Sequence, residues 1–198
     1  MSALLNTIKT AITGTRFGMP IYTVVVKTEI YEERRYPETK WVSTKVEGMF
    51  HKESRSTGFR RLFNYLQGDN KPSRKVDMTA PVATKIFPGP GPNCESMFTV
   101  SFFILPENAD NSPVPTNPDV YLETWPPLTI YAKQFDGSPS DDNFVSNAQE
   151  LGQALSGKNI NPNVWFTASY DSPFKMFNKR NEVWYLKLDE ENKTKSEN

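Results

Sequence analysis

The sequence predicts an α+β fold in which two related halves build one antiparallel sheet or barrel. The main observation is an internal repeat, in which six turn-forming or apolar residues recur 89 positions later: Pro37, Gly48, Leu62, Leu66, Gly68 and Asn70 are matched by Pro126, Gly137, Leu151, Leu155, Gly157 and Asn159. A period this long does not indicate a solenoid, whose units span about 20–50 residues. We therefore expect two halves, each ordered strand, strand, helix, strand, strand, that bury their apolar faces together in one domain.

Two local patterns indicate which segments are strands and which are helices. Between residues 98 and 104, apolar side chains alternate with Thr99 and Ser101, a period of two that is typical of a strand with one buried face. Earlier in the chain, four apolar residues recur at the helical spacing i, i+3, i+4, i+7: Phe59, Leu62, Phe63 and Leu66. Gly68 follows this stripe where a helix C-cap is expected. The short connections between strands favour antiparallel pairing, with one helix of each half lying on the sheet.

The predicted elements run in the same order in both halves. For the first half we expect strands at 21–26, 31–36 and 41–46, a helix at about 53–67, an extended segment at 75–86 and a strand at 98–105. Pro81 interrupts the extended segment and donates no hydrogen bond, so this segment is expected to be a strand only at a sheet edge or a bulge. A proline-rich stretch connects the halves at 106–118. For the second half we expect strands at 120–125, 129–135, 164–170 and 182–188, and a helix at about 142–156.

The ends of the chain differ in character from the region between them. An apolar stripe of four residues near the start is short, so we expect the leader at 1–19 to be partly helical or flexible; the stripe consists of Leu4, Leu5, Ile8 and Ile12. A single domain is expected at 20–188, with halves at about 20–108 and 119–188. The polar tail at 189–198 is expected to be disordered.

Charge and cysteine content narrow the class of function. The 198 residues include 23 basic and 23 acidic side chains, which argues against electrostatic nucleic-acid binding because that function needs a surplus of lysine and arginine. The single cysteine, Cys94, cannot form an internal disulfide, and the sequence contains no secretory segment and no apolar run long enough to span a bilayer. We therefore expect a cytoplasmic protein without integral membrane association, and a monomer.

The sequence contains no combination of residues that is typical of catalysis. His51 is the only histidine, which excludes a two-histidine metal site, and its neighbours Lys52 and Glu53 predict a solvated surface side chain. Cys94 lies in a Gly/Pro loop without a neighbour that would activate its thiol as a nucleophile. Because no nucleophile, acid–base pair or phosphate-binding loop is evident, we expect a binding protein rather than an enzyme.

Aromatic residues near cations indicate where binding would occur. Phe59 and Phe63 share the first predicted helix with three arginines, and the segment 172–180 places Phe174, Lys175 and Met176 together in a loop. A flat apolar ligand with acidic groups would suit such a surface, with its ring against the apolar side chains and its carboxylates against the cations. Two alternatives remain open. The helix phenylalanines are core residues, or the same Phe/Met/Lys surface binds a protein partner.

Several motifs resemble the SOUL/haem-binding protein family. They occur in order along residues 20–188, and they are Tyr36-Pro37-x-x-Lys40-Trp41-Val42-Ser43-Thr44, Met78-Thr79-Ala80-Pro81-Val82, Tyr170-Asp171-Ser172-Pro173 and Asn181-Glu182-Val183-Trp184. The first two are most similar to the haem-binding protein 2 (SOUL) branch. The resemblance implies an antiparallel, distorted β-barrel of two pseudo-symmetric ββαββ halves, each with a helix packed on the outside. It also implies a non-catalytic intracellular protein that carries or buffers haem or another tetrapyrrole.

The resemblance further implies a site in an apolar surface groove between the first helix and the loop before the last strand. Carried over by position, the cofactor-binding residues are Ser56, Phe59, Phe63, Asn64, Phe174, Lys175 and Met176. Two positions depart from the family. Arg35 stands where SOUL-branch members have an axial histidine, and arginine does not ligate iron because it stays protonated. Ser56 stands where the other branch has an arginine. Water, His51 or no axial ligand at all are the options left for the iron.

Overall fold

The computed structural model describes residues 17–91, 94–171, 175 and 178–188. This part of the chain forms nine strands and three helices. The strands are β1 (Thr23–Lys27), β2 (Glu32–Tyr36), β3 (Thr39–Gly48), β4 (Val82–Phe87), β5 (Ser96–Ile104), β6 (Val120–Trp125), β7 (Leu128–Asp136), β8 (Ile160–Ser169) and β9 (Arg180–Lys187). The helices are α1 (His51–Gln67), α2 (Pro106–Ala109) and α3 (Asp141–Ala154). The predictions for the leader stripe and the tail at 189–198 lie outside the described residues.

All nine strands form one antiparallel sheet in the order β1-β2-β7-β9-β8-β4-β5-β3-β6. The repeat makes β2 equivalent to β6, β3 to β7, β4 to β8 and β5 to β9. If each strand is replaced by its equivalent, the eight strands from β2 to β6 appear in the reverse order. The sheet therefore has pseudo-two-fold symmetry about the β4–β8 pair. The first strand of each repeat pairs with the other half, since β2 pairs with β7 and β6 pairs with β3. The predicted α+β fold of two pseudo-symmetric ββαββ halves is therefore confirmed. β1 and β6 stay as edges, so the barrel is distorted and open.

The curved sheet is covered on both faces. Its concave face holds one apolar cluster that includes Trp41, Phe166 and Trp184. On the convex face, α1 packs over a cluster that includes Leu62 and α3 packs over a third. Both helices therefore lie on the outside of the barrel. Their packing on the same face follows from the repeat, because the apolar stripe of each helix must be buried against its own half.

The ends of α1 and α3 follow the sequence signals closely. Gly68 caps α1 in the left-handed conformation, with φ of 118°, and its N–H donates to the carbonyls of α1's last turn. This residue type is needed because a side chain is strained at that φ. Ser140 caps α3 by accepting a hydrogen bond from the N–H of Asn143 at 3.3 Å. Helix α3 ends at Ala154, and Gly157 follows it with φ of 78°.

The structure corrects two predictions for individual segments and adds one short helix. The segment at 75–86 is not an edge strand, since β4 begins after Pro81 and lies between β5 and β8 in the middle of the sheet. Pro81 precedes the strand, so its missing N–H removes no ladder hydrogen bond. The proline-rich connection contains the single-turn helix α2. The polar face of β5 is also buried, because Thr99 and Ser101 point into the concave side of the barrel.

Candidate functional site

A groove lies on the convex face between α1 and the ends of β8 and β9. Its volume is about 340 Å³, and we call it the α1 groove. It is lined by Lys52, Arg55, Ser56, Phe59, Val82, Pro139, Ser169, Asp171, Lys179 and Asn181. The groove lies over the junction of the two halves, because β4 and β8 pair at the pseudo-two-fold axis. One wall of the groove is therefore formed by α1. The other wall is formed by the ends of β8 and β9 and by residues between these two strands.

The α1 wall carries two stacked phenylalanines. Phe59 is half-buried and contacts Phe102 of β5 edge-to-face, with ring centroids 5.3 Å apart. Phe63 stacks on Phe59 at 5.8 Å with an interplanar angle of 12°, and 40% of its surface is exposed. The alternative that the helix phenylalanines are core residues is therefore wrong for Phe63. Phe59 belongs partly to the core, and Phe63 extends its apolar surface towards solvent.

The second wall carries an ion pair at the end of β8. The Asp171 carboxylate accepts a hydrogen bond from Lys175 Nζ at 2.8 Å and one from the Arg180 backbone N–H at 2.6 Å. Partial burial raises the pKa of Asp171, but these two donors outweigh that effect and hold the pKa below its ordinary value. Asp171 therefore stays ionised and fixes Lys175 beside the groove.

The structure brings the predicted site residues together to different degrees. Ser56 and Phe59 line the α1 groove. Phe63 and Lys175 each lie one contact away from the lining, through Phe59 and Asp171 respectively. Asn64 is exposed on α1 and does not belong to the lining. The predictions for Phe174 and Met176 lie outside the described residues.

Three charged residues of the lining, Lys52, Arg55 and Lys179, were not among the predicted binding residues, although the helix arginines and the segment 172–180 were predicted to lie near the site. Arg55 donates to the Pro139 carbonyl at 3.1 Å, and burial lowers the pKa of its guanidinium although Asp141 partly opposes the effect. Lys52 and Lys179 complete a set of three cations facing one carboxylate. For the two helix residues the available signal was helical spacing, since Lys52 lies four residues before Ser56 and Arg55 four residues before Phe59 on the same helix.

His51 is not the solvated surface side chain that its neighbours predicted. Only 10% of its side chain is exposed, and both ring nitrogens have partners. Nδ1 lies 3.0 Å from Asp141 Oδ1, and Nε2 lies 3.2 Å from Thr167 Oγ1. Burial lowers the pKa of His51, and nearby Arg55 lowers it further, although Asp141 opposes both. The prediction failed because the partners of His51 come from the second half of the chain, about 90 residues or more away.

Arg35, at the position of the SOUL-branch histidine, does not belong to the α1 groove. It is exposed on β2 and lines a different and larger cavity at the open end of the barrel. The family resemblance associates both the α1 groove and the position of Arg35 with tetrapyrroles. In this structure the two lie at separate places.

A buried ionic cluster closes the other end of the barrel. Glu182 is fully buried and accepts hydrogen bonds from Arg34, Arg180, Tyr170 and Trp184 at 2.7–3.2 Å. Its own burial raises the pKa of this carboxyl, but Arg34 and Arg180 more than offset that effect and lower it to about 2. The cluster orders the start of β9 and thereby the wall of the α1 groove that carries Asn181. In the sequence, this cluster is indicated by the glutamate at position 182 within the strand motif at 181–184.

The described residues include no group of three or more His, Cys, Asp or Glu side chains that could hold a metal ion. In the same part of the chain, no helix is long and apolar enough to cross a membrane. The lining of the α1 groove combines apolar side chains with three cations.

Comparison with known proteins identifies the family. The sequence model of the family described as SOUL heme-binding protein matches residues 18–186. The chain belongs to this family. It is 39% identical to heme-binding protein 2 of Homo sapiens over 165 residues, which covers 82% of this chain and 80% of that protein. It is 32% identical to heme-binding protein 1 of Xenopus laevis over 159 residues, which covers 79% of this chain and 83% of that protein. The resemblance that the motifs predicted is confirmed.

Solved structures with low sequence identity share the fold. The EcmrR–DNA complex matches with a TM-score of 0.56 and 12% identity, over 82% of this chain and 59% of that chain. The EcmrR C-terminal domain matches with a TM-score of 0.52 and 12% identity, over 79% of this chain and 96% of that chain. SAV2435 bound to tetraphenylphosphonium matches with a TM-score of 0.51 and 10% identity, over 82% of this chain and 96% of that chain. At these identities the likeness concerns the fold alone.

Proposed function

We propose that the chain is a non-catalytic protein that binds haem or another tetrapyrrole in the α1 groove. The observation that carries the proposal is the pairing of a stacked aromatic surface with three cations at one place, in a chain whose relatives are named heme-binding proteins. A tetrapyrrole has a flat apolar face and carboxylate groups, and it needs both kinds of contact.

The residues present suit the ring and its carboxylates. Phe59 and Val82 offer apolar surface for the face of the ring, and Phe63 extends that surface beyond the lining. Lys52 borders the groove and suits a carboxylate as a charge-assisted donor, and Lys179 adds positive charge to the lining. Because Arg55 already donates to a backbone carbonyl, it contributes mainly positive potential.

Contacts to the ring and its carboxylates do not supply ligands for the iron of haem. A bound haem would supply an iron centre that needs axial ligands. The described lining offers no histidine, cysteine, methionine or tyrosine side chain, and both ring nitrogens of His51 already have partners. We therefore propose that the described residues hold the tetrapyrrole by its ring and carboxylates, without an axial protein ligand.

A haem titration followed by the Soret band tests the proposal. The wild-type chain should saturate at one equivalent. Phe63→Ala should weaken binding by about three- to tenfold, because an aromatic contact contributes roughly 0.5–1.5 kcal/mol. Phe50→Ala is the matched control, since Phe50 precedes the same helix, is 61% exposed and does not line the groove.

The competing hypothesis is a protein-interaction module that uses the same surface. It predicts haem absorbance that does not saturate and is equally sensitive to Phe63→Ala and Phe50→Ala, as expected for adsorption to any exposed aromatic side chain. That result would contradict the tetrapyrrole proposal.

A further inference from the structure

The open end of the barrel contains a second cavity, on the opposite face of the sheet from the α1 groove. Its volume is about 670 Å³, within the usual range for small-molecule sites, and we call it the barrel mouth. Val82 lines the α1 groove and Lys85 lines the barrel mouth, three residues apart on β4 and therefore on opposite faces of the sheet. The sheet itself separates the two cavities.

The floor of the barrel mouth is apolar. Trp125, Leu128, Phe166 and Leu186 line it and also line a narrow apolar crevice beneath, which leads to Trp41 and Ile130 in the concave core. Trp125 stacks on Trp41 with ring centroids 4.1 Å apart, so the aromatic part of the floor continues into the concave core. The buried Glu182 cluster lies towards the other end of β9 from Leu186 and Lys187, which line the barrel mouth.

The rim of the barrel mouth is strongly cationic. Four cations line it, and a single carboxylate, that of Glu123, faces them: the cations are Arg35, Lys45, Lys85 and Lys187. Glu123 accepts a hydrogen bond from the Ser43 hydroxyl, and Lys187 is paired with Glu33 at 2.7 Å. Within the described residues, Arg35, Lys45 and Lys85 form no salt bridge. The chain as a whole has no net charge, so this excess of cations is local.

Lys85 is the central residue of this arrangement. Its side chain is half-buried, with the ammonium 4.6 Å from the ring centroid of Phe87 and 5.7 Å from that of Phe166. Burial lowers the pKa of Lys85 and Lys45 lowers it further, while Glu123 opposes both effects only in part. An ammonium in a half-buried aromatic environment without an ion pair gains more from an added anion than a solvated one does, since the interaction is less screened.

We propose that the barrel mouth binds an amphipathic organic anion, whose carboxylate, sulfonate or phosphate contacts Lys85 and whose apolar body lies on Trp125 and Phe166. The apolar floor alone would suit any apolar molecule, and the cations alone would suit any inorganic anion. Their combination selects a molecule that has both parts. The site is independent of tetrapyrrole binding in the α1 groove.

The test uses 8-anilinonaphthalene-1-sulfonate, a fluorescent aromatic sulfonate, with the full-length chain. We expect saturable binding that dodecanoate displaces. Lys85→Met keeps the side-chain length and apolar character but removes the charge, and it should weaken binding by about tenfold or more, because a hydrogen bond to a charged group contributes roughly 1.5–3 kcal/mol. Lys85→Arg should retain binding. Lys52→Met, in the α1 groove, should leave it unchanged.

Each contrary outcome overturns the proposal. If Lys85→Met binds the sulfonate as tightly as the wild type, no anion contact involves Lys85. If Lys52→Met weakens binding and Lys85→Met does not, the sulfonate binds in the α1 groove. If Lys85→Arg behaves like Lys85→Met, the effect is one of packing and not of charge. If haem displaces the sulfonate one for one, the two ligands share a site and the claim of independence fails.

Discussion

Replacing Glu182 by glutamine should destabilise the fold by about 3 kcal/mol. Glu182 is fully buried between Arg34 and Arg180, with side-chain distances of 2.8 and 2.7 Å in the two ion pairs. Its pKa is lowered from 4.5 to about 2, and such a difference between the folded and unfolded states corresponds to about 3 kcal/mol at neutral pH. The variant removes the Glu182 carboxylate from the buried Arg34 and the partly buried Arg180, although Arg34 keeps its pair with Glu32 at 2.9 Å. Breaking a buried pair in this way typically costs about 3–5 kcal/mol.

Urea unfolding followed by circular dichroism at pH 7 measures this difference. Glu150→Gln is the matched control, because Glu150 pairs with Lys133 at 3.4 Å but its side chain is 57% exposed, and exposed pairs contribute only about 0–1 kcal/mol. The pH dependence gives a second readout. A lowered folded-state pKa stabilises the fold above pH 4.5, and this stabilisation is lost as the pH falls towards 2.

Glu182→Gln should therefore lack that part of the acid sensitivity. A loss of less than about 1 kcal/mol at pH 7, equal to that of the control, would contradict the reasoning. It would mean that the cluster tolerates a neutral side chain and does not depend on the buried charge.

The remaining predictions concern the site and the packing of α1. Lys175→Glu should weaken haem binding by about threefold or more at low salt and less at high salt, since the effect is electrostatic; Lys71→Glu, an exposed change outside the groove lining, should not. His51→Ala should change haem affinity by less than about tenfold. Because the folded-state pKa of His51 is lowered, the same change should also reduce the loss of stability that occurs as the pH falls below 6.5. Gly58→Ala should destabilise the fold by about 1–2 kcal/mol in urea unfolding, because the new Cβ would lie 2.4 Å from Val100 Cγ2 and the overpacking exceeds the gain in helix propensity.

Much of the fold could be predicted because its signals are local. The stripe around Leu62 and the cap at Gly68 each depend on a few neighbouring residues, and the structure reproduces both. The 89-residue repeat predicted the two-fold relation of the halves. The central position of β4 could not be predicted, because it depends on pairing with β8, about 80 residues away. The burial of Thr99 has the same origin, since it requires the sheet to curl over its own concave face.

The candidate site was predicted only in part, for a similar reason. Residues on one helix could be placed relative to one another by helical spacing, which explains why Ser56 and Phe59 both belong to the groove lining. Asp171 lies in the motif Tyr170-Asp171-Ser172-Pro173, but the motif does not specify that its carboxylate pairs with Lys175. The contacts of His51 connect the start of α1 to the second half, and no local pattern reports them.

The most direct test of the central claim is a ¹H–¹⁵N NMR titration of the labelled chain with iron-free protoporphyrin IX, which avoids broadening by iron. We expect saturable shifts at one equivalent for the amides that border the α1 groove, at 52–59, 169–171 and 179–181. Amides around Lys45, Lys85 and Lys187 at the barrel mouth should shift little. Saturable shifts confined to the barrel mouth, or shifts that never saturate, would contradict tetrapyrrole binding in the α1 groove.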